Sequence, residues 1–361
     1  MSRGDNMGLP VMEAEFLKLA ETAIFRSGNG IVLLILDDDT AKNTSYSFND
    51  IGEVKSGTFT EKNLDLLAKT FKGQPLKVLV EVISSTNDRT LDSVLADVKF
   101  KKFNYLAYPT DKGSSNQKII DYVKAQRKEN IDIKAVLANA DSADCEAIIN
   151  FTTEEIKEKV TDKVYTALEY TSRIAGIVAG IPLNKSVTYY VLDEVKSIKE
   201  SSTPDDDIDA GKLILVNDGE KIKIGRGVNS LQTIELEVTE DMKKIKIIEG
   251  MDLVHSDILK TFSDYYVGNY PNGYDDKVLF FSACEEYYKS LKAKGVLNPA
   301  ADATMRLDME KQKRYITQHG GDVTTMSDQQ IKDYDTGSDV FAISYVKFID
   351  AMEDIHIRIF K

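Results

Sequence analysis

The chain has 361 residues, enough for two or three domains of roughly 100–200 residues each and for a sizeable core. Apolar residues make up 42% and charged residues 29%, a globular composition rather than a disordered one. With 59 acidic against 46 basic side chains the net charge is −13, and a surface of that sign repels phosphate, which argues against nucleic acid or an anionic membrane as partner.

In chain order, residues 11–24 carry a rough helical stripe (Val11, Phe16, Leu17, Ala20, Ala23) that ends at the breaker cluster Ser27-Gly28-Asn29-Gly30. IVLLIL at 31–36 is an unbroken apolar run between turn signals, as expected of a strand buried on both faces. The same rhythm recurs. Thr60 caps a helix to Phe71, LKVLVEVI at 76–83 is a strand, 88–98 a helix, FNYLAY at 103–108 a strand, 115–128 a helix and IKAVLA at 133–138 a strand. Alternation at this spacing predicts right-handed crossovers in an α/β layer architecture.

Residues 165–181 read as a buried helix crowded with small side chains, which admit another backbone closely, and Pro182 stops it. The polar stretch 201–207 reads as an exposed loop, and 212–216 with 220–224 as a hairpin around Asn217-Asp218-Gly219. Residues 233–238 look strand-like. From Met242 the texture changes: 243–248 suits a strand, 252–267 and 274–294 helices, 308–318 and 327–334 shorter helices, and 340–349 and 352–360 strands.

Residues suited to chemistry are few. Gly225-Arg226-Gly227 begins like a dinucleotide fingerprint but lacks the third glycine and a following helix, so it reads as a turn. Asp205, Asp207 and Asp209 have the spacing of a calcium loop, yet the turn glycine falls late and Val216 stands where a bidentate glutamate belongs. Cys145 and Cys284 form no metal-spaced cluster and read as buried thiols, Cys145 with a pKa raised by flanking carboxylates. His255, His319 and His356 form no paired motif. No catalytic, cofactor or metal site is predicted. The opening residues lack a secretory signature and no apolar run approaches the roughly 20 residues of a spanning helix, so a soluble, intracellularly made chain is expected.

The end of the chain carries a different signal. Ile355, Ile357 and Ile359 alternate with His356, Arg358 and Phe360 in period two. Such a strand needs a partner for its ladder bonds: the edge of its own sheet, or a neighbouring subunit.

Several blocks together resemble the sheath proteins of contractile phage tails and phage-tail-like bacteriocins, those of Gram-positive hosts especially. They are Gly8-Leu9-Pro10 with Lys18-Leu19-Ala20, Ser172 to Pro182 with Ser186-Val187-Thr188, Lys244 to Asp252, Asp257-Ile258 with Ser263 to Gly268, Pro271 to Asp275, Thr336-Gly337-Ser338, and Ile349 to Asp354. The resemblance runs from about Gly8 to Lys361.

It implies a structural, non-enzymatic subunit that stacks as rings, hexameric in such sheaths, around a tail tube. Contraction then drives the tube through a bacterial envelope. Baseplate and tail terminator are implied partners, with no nucleic acid and no membrane contact by the subunit itself. The location is the tail of a virion or bacteriocin particle assembled in the host cytoplasm. The expected layout is an N-terminal arm and helix (1–25), a mixed-sheet α/β outer body (26–241), an α+β tube-facing domain (242–351) and a C-terminal strand arm (352–361). Leu9 and Val11 are expected in the N-terminal arm, and Ile355, Ile357, Ile359 and Phe360 on the donated C-terminal strand. Lys243, Lys244 and Lys246 are expected to face an acidic tube. The alternatives are another self-assembling tail or baseplate component, and an α/β enzyme with a dispersed site.

Overall fold

The computed structural model describes residues 11–86, 88–111, 115–235 and 238–360. The chain divides into two compact units: residues 24–250 with 350–361, and residues up to 23 with 251–349. The division falls inside two helices, α1 (Val11–Ser27) and, later in the chain, Ile245–Thr261.

The larger unit is built on a seven-stranded sheet. Its strands are β1 (Ile31–Asp37), β2 (Ser45–Phe48), β3 (Lys77–Ile83), β4 (Tyr105–Ala107), β5 (Lys134–Ala138), β6 (Ile148–Phe151) and β7 (Lys212–Leu213), in the spatial order β7-β6-β5-β4-β1-β3-β2. All neighbours pair in parallel except β2, which runs antiparallel to β3 at one edge. In β1, Val32, Leu34 and Leu36 enter one core while Leu33 and Ile35 enter the other, so the apolar run is buried on both faces. Helices α2 (Glu61–Phe71) and, further along the chain, Ala167–Gly180 contribute to the Val32 core; α3 (Leu91–Asp97) and α4 (Asn116–Lys128) contribute to the Leu33 core. The helix Ala167–Gly180, α5, opens on a capping box in which Thr166 and Glu169 exchange hydrogen bonds, and α3 opens on another from Thr90 and Ser93.

The sequence reading needs four corrections here. Strand β6 (Ile-Ile-Asn-Phe) had no place in it, because four buried residues between short loops carry no period. Lys212–Leu213 joins the main sheet, and the hairpin around Asn217-Asp218-Gly219 pairs only Leu215–Asn217 with Ile222–Ile224. Pro204–Asp209, expected as a loop, is a short helix: proline suits its first turn, and three aspartates there favour the positive end of its dipole. Residues 231–235 form no strand, while 236–237 lie outside the described residues.

Helix α6 (Ile245–Thr261), within which the two units divide, replaces the strand expected at 243–248. The buried positions Ile247, Gly250, Val254, Asp257 and Thr261 recur at helical spacing, which a six-residue window cannot reveal. Helix α6 passes into a π-turn, Phe262–Tyr266, and α7 (Tyr274–Ala293) follows. Phe16 of α1 packs on Tyr287 with ring centroids 5.3 Å apart, and the Tyr287 hydroxyl donates to Asp257 Oδ2 at 2.6 Å. Asn272 Nδ2 reaches Thr336 Oγ1, Gly337 O and Asp339 O at 2.9–3.1 Å, joining two segments distant in sequence. Strands β8 (Thr304–Leu307) and β9 (Ala342–Tyr345) form a two-stranded antiparallel sheet.

Candidate assembly interface

After β9 the chain is held again within the smaller unit by a bridge between Leu297 and Phe348, in which Asn298 N–H donates to Lys347 O at 2.7 Å and Ile349 N–H to Val296 O at 3.1 Å. Beyond that point residues 349–360 form no regular element, so the terminal strand predicted from its alternation is not an edge of the chain's own described sheets. Ile355, Ile357, Ile359 and Phe360 are 81%, 69%, 86% and 88% exposed. Covering each such side chain fully is worth about 1.5–3 kcal/mol.

The root of this arm is fixed on the larger unit by a set of polar contacts, which we call the clasp. The side chain of Glu353 is only 7% exposed, and its Oε1 accepts from Ser186 Oγ at 2.8 Å and Thr188 Oγ1 at 2.7 Å. Its Oε2 has no hydrogen-bond partner among the described residues and lies 4.0 Å from Arg226 Nε. Arg226 Nη2 pairs with Asp354 Oδ1 at 2.6 Å, and Lys244 pairs with Asp350. The receptor is organised by its own backbone: Thr188 N–H donates to Ser186 Oγ, Gly227 N–H to Thr188 Oγ1 at 2.9 Å, and Tyr189 N–H to Ile224 O. A Cβ at Gly227 would stand 2.7 Å from Val187 Cγ2, so any side chain there would push Val187 out of place. The segment Gly225-Arg226-Gly227 is therefore half of the arm's receptor.

Of the lysines singled out in the sequence, Lys243 pairs with Glu240 at 2.9 Å and Lys244 with Asp350. Lys246 is half-buried; burial pulls its pKa down, opposed by the charges of Asp350 and Glu353. At the other terminus, Leu9 lies outside the described residues and Val11 is the first residue of α1.

Among the described residues, one edge of the small sheet has a hydrogen-bond partner and the other has none. Phe341 O accepts from Asp308 N–H, and with the pairing Arg306–Ile343 this sets Phe341, Ile343 and Tyr345 as the residues bonded across to β8. Met305 N–H, on the far edge of β8, donates to the Glu285 carboxylate at 3.4 Å. Ala342 and Ser344 therefore direct their backbone groups away from β8. Two strands alone are marginal, so an open edge of this kind suits a third.

The other chemical candidates are absorbed by the fold. In a doubly wound sheet the ligand crevice lies beyond the strand ends where the order reverses, here at β1 and β4. There Asp37 accepts from Tyr108 OH at 2.6 Å, and Asp38 from Thr60, Asn63, Thr40 and Ala41. Asp207 is engaged by Ser201 and Lys212 within the short helix region.

Comparison with known proteins completes the picture. The family described as the phage tail sheath C-terminal domain matches residues 237–360. A tail sheath protein of Clostridium phage phiCD119 is 36% identical over 358 residues, covering 98% of this chain and 99% of the phage protein. The sheath tail protein of Listeria innocua shares the fold with a TM-score of 0.70 at 16% identity, over 94% of this chain and 99% of that one. So does the anti-feeding prophage helical sheath in its contracted state, with a TM-score of 0.68 at 12% identity over 94% and 95%.

Proposed function

This chain belongs to the tail sheath protein family, and from that membership we propose how its ends and its bodies divide the work of a contractile sheath. Subunits stack as rings, six to a ring, around a tail tube, between a baseplate and a terminator, within a virion tail or tail-like particle put together in the host cytoplasm. The arm beyond Ile355 leaves its own subunit and adds as a strand to a neighbour's sheet at the open edge of β9. Backbone bonds supply affinity there and the alternating isoleucines supply register. A head-to-tail contact of this kind does not close on itself, which yields the open helical lattice a sheath requires. The N-terminal arm, with Leu9, makes a second such link up to Val11, where α1 begins. Residues 242–351 face the tube. Lys243 is the tube-facing candidate among the three lysines, since Lys244 and Lys246 lie among the carboxylates of the arm's root.

The observation that carries the reading is the exposed isoleucine row on an arm whose root is held in place. Deleting residues 352–361 tests it. The truncated chain is expected to stay folded by circular dichroism and to form no tubes or ring stacks under negative-stain microscopy. Tubes from the truncated chain would sink the donated-strand reading.

A further inference from the structure

A strand paired into a neighbour's sheet cannot slide without breaking every ladder bond at once and reversing its faces. When a sheath shortens and widens, the spacing between neighbours changes, so slack has to come from the arm's other end. The clasp sits at that end.

Three features make the clasp openable without unfolding its subunit. First, the Glu353 side chain is largely buried with one oxygen doubly hydrogen-bonded, while the other has only the Arg226 charge at 4.0 Å and no hydrogen bond among the described residues, so water would serve it better. Second, the flanking pairs Arg226–Asp354 and Lys244–Asp350 are partly solvent-exposed, where ion pairs contribute little. Third, the receptor loops hold their shape through Gly227, Thr188 and Tyr189, independently of Glu353. The closed state is thus preferred by a small margin and leaves an intact seat when vacated.

We propose that the clasp meters the length of the arm, with Glu353 as its positioning residue. This inference rests on the strand-exchange reading. Closed, the last fixed point is Asp354 and only residues from Ile355 span to the neighbour. Open, the last fixed point retreats to Ile349, which Val296 holds. Residues 350–354 then join the tether, and at about 3.3 Å per extended residue they add about 17 Å of reach. One arm, still paired at its far end, thereby serves two spacings of the same lattice: the narrow one with the clasp closed, the wide one with it open.

The test uses particles carrying the full-length chain. In one variant Ser186→Cys and Glu353→Cys are bridged after assembly with a short bis-maleimide; the native thiols Cys145 and Cys284 are buried and do not compete. In another, Glu353→Ala with Asp354→Ala removes the clasp's contacts to Ser186, Thr188 and Arg226 and leaves only the partly exposed Lys244–Asp350 pair, and Glu353→Gln retains its hydrogen bonds from Ser186 and Thr188. Sheath width is followed by electron microscopy through a urea titration. Bridged sheaths are expected to stay narrow at urea concentrations that widen the same particles left unbridged. Clasp-free sheaths should widen at least tenfold faster than the Glu353→Gln control. Bridged sheaths that widen as freely as unbridged ones overturn the metering role. If the 352–361 deletion also still polymerises, the strand-exchange reading falls with it; if that deletion abolishes tubes, metering alone is wrong. Should the double alanine variant fail to fold, the bridged variant decides the question by itself.

Discussion

Gly176 of α5 lies directly against the main chain of Thr70 in α2: a Cβ built at Gly176 would stand 2.0 Å from the Thr70 carbonyl oxygen. One turn on, a Cβ at Gly180 would stand 1.9 Å from Gly73 O, and one at Gly73 would meet Gly176 C at 2.1 Å. The two helices touch backbone to backbone, and no flexible side chain is there to yield. Gly176→Ala is therefore expected to destabilise the subunit by about 3 kcal/mol, at the upper end of overpacking costs. Gly219 on the hairpin turn provides the contrast. A Cβ there meets nothing within 4 Å, so only its φ of +94° resists alanine, at about 1 kcal/mol. Urea unfolding of both variants checks the difference; equal midpoints would refute the close-contact account.

Arg173 and Glu194 form a buried pair at 2.7 Å on the same face of the larger unit, with Tyr170 OH also donating to Glu194. Burial raises the Glu194 pKa, but the charge and hydrogen bond of Arg173 and the charge of Lys72 outweigh it and hold the carboxyl at about 2. A depressed carboxyl stabilises the fold above its unfolded pKa of about 4.5 and loses that contribution as the pH falls toward 2. Arg173→Met is expected to cost about 4 kcal/mol at neutral pH by stranding the carboxylate, and Arg173→Met with Glu194→Met less. Chemical denaturation at pH 7, 4 and 2.5 measures both effects. The double variant should show the shallower acid slope, and an unchanged slope would assign the acid loss to other carboxylates.

How much of this was legible beforehand depended on whether a signal was local. Strands such as Ile31–Asp37 and Lys77–Ile83 announce themselves as apolar runs because both faces are buried. Gly176 and Gly180 marked α5 as a close-packing helix, although nothing in the sequence named α2 as the partner. Short strands escaped where tertiary pairing alone creates them, as in Ile156–Glu158 with Val195–Ser197. The clasp was invisible for the same reason. Thr188 and Glu353 lie 165 residues apart, and each is ordinary on its own. Gly225-Arg226-Gly227 reads locally as a turn, and nothing in its pattern points to the distant arm that docks on it. The Cys145 thiol was expected to be raised by flanking carboxylates. Burial is the larger cause and Glu146 the second, while Asp144 is turned away to Thr233 and Gln232.

Both thiols follow from that burial. Cys145 is pushed up to about 11 and Cys284 well above the ordinary thiol range, each by desolvation first and a neighbouring glutamate second. Thiolate is the reactive form, so neither residue should react with a soluble disulfide reagent at pH 8 in the folded protein. Two equivalents should react promptly once denaturant is added, matching the two cysteines of the sequence. Fast labelling of either one in the native subunit would show that its surroundings open readily.

The arm makes the sharpest separation between folding and assembly. Ile355, Ile357 and Ile359 are largely exposed, so replacing all three with serine removes almost no buried surface from the isolated subunit. The thermal midpoint of the triple variant is expected to stay within about 1 °C of the parent, since exposed substitutions of this kind rarely exceed about 0.5 kcal/mol. Polymerisation is another matter. Each isoleucine contributes about 1.5–3 kcal/mol when covered, so three substitutions remove enough from every subunit contact to abolish tubes at concentrations where the parent assembles. Substituting His356 and Arg358 with serine touches the other face of the strand and should leave most of the assembly intact. Sedimentation velocity beside a thermal melt reads both quantities on one preparation. A triple variant that melts early would place the isoleucines in the subunit's own core, whereas one that melts normally and still assembles would remove the isoleucine face from the contact altogether.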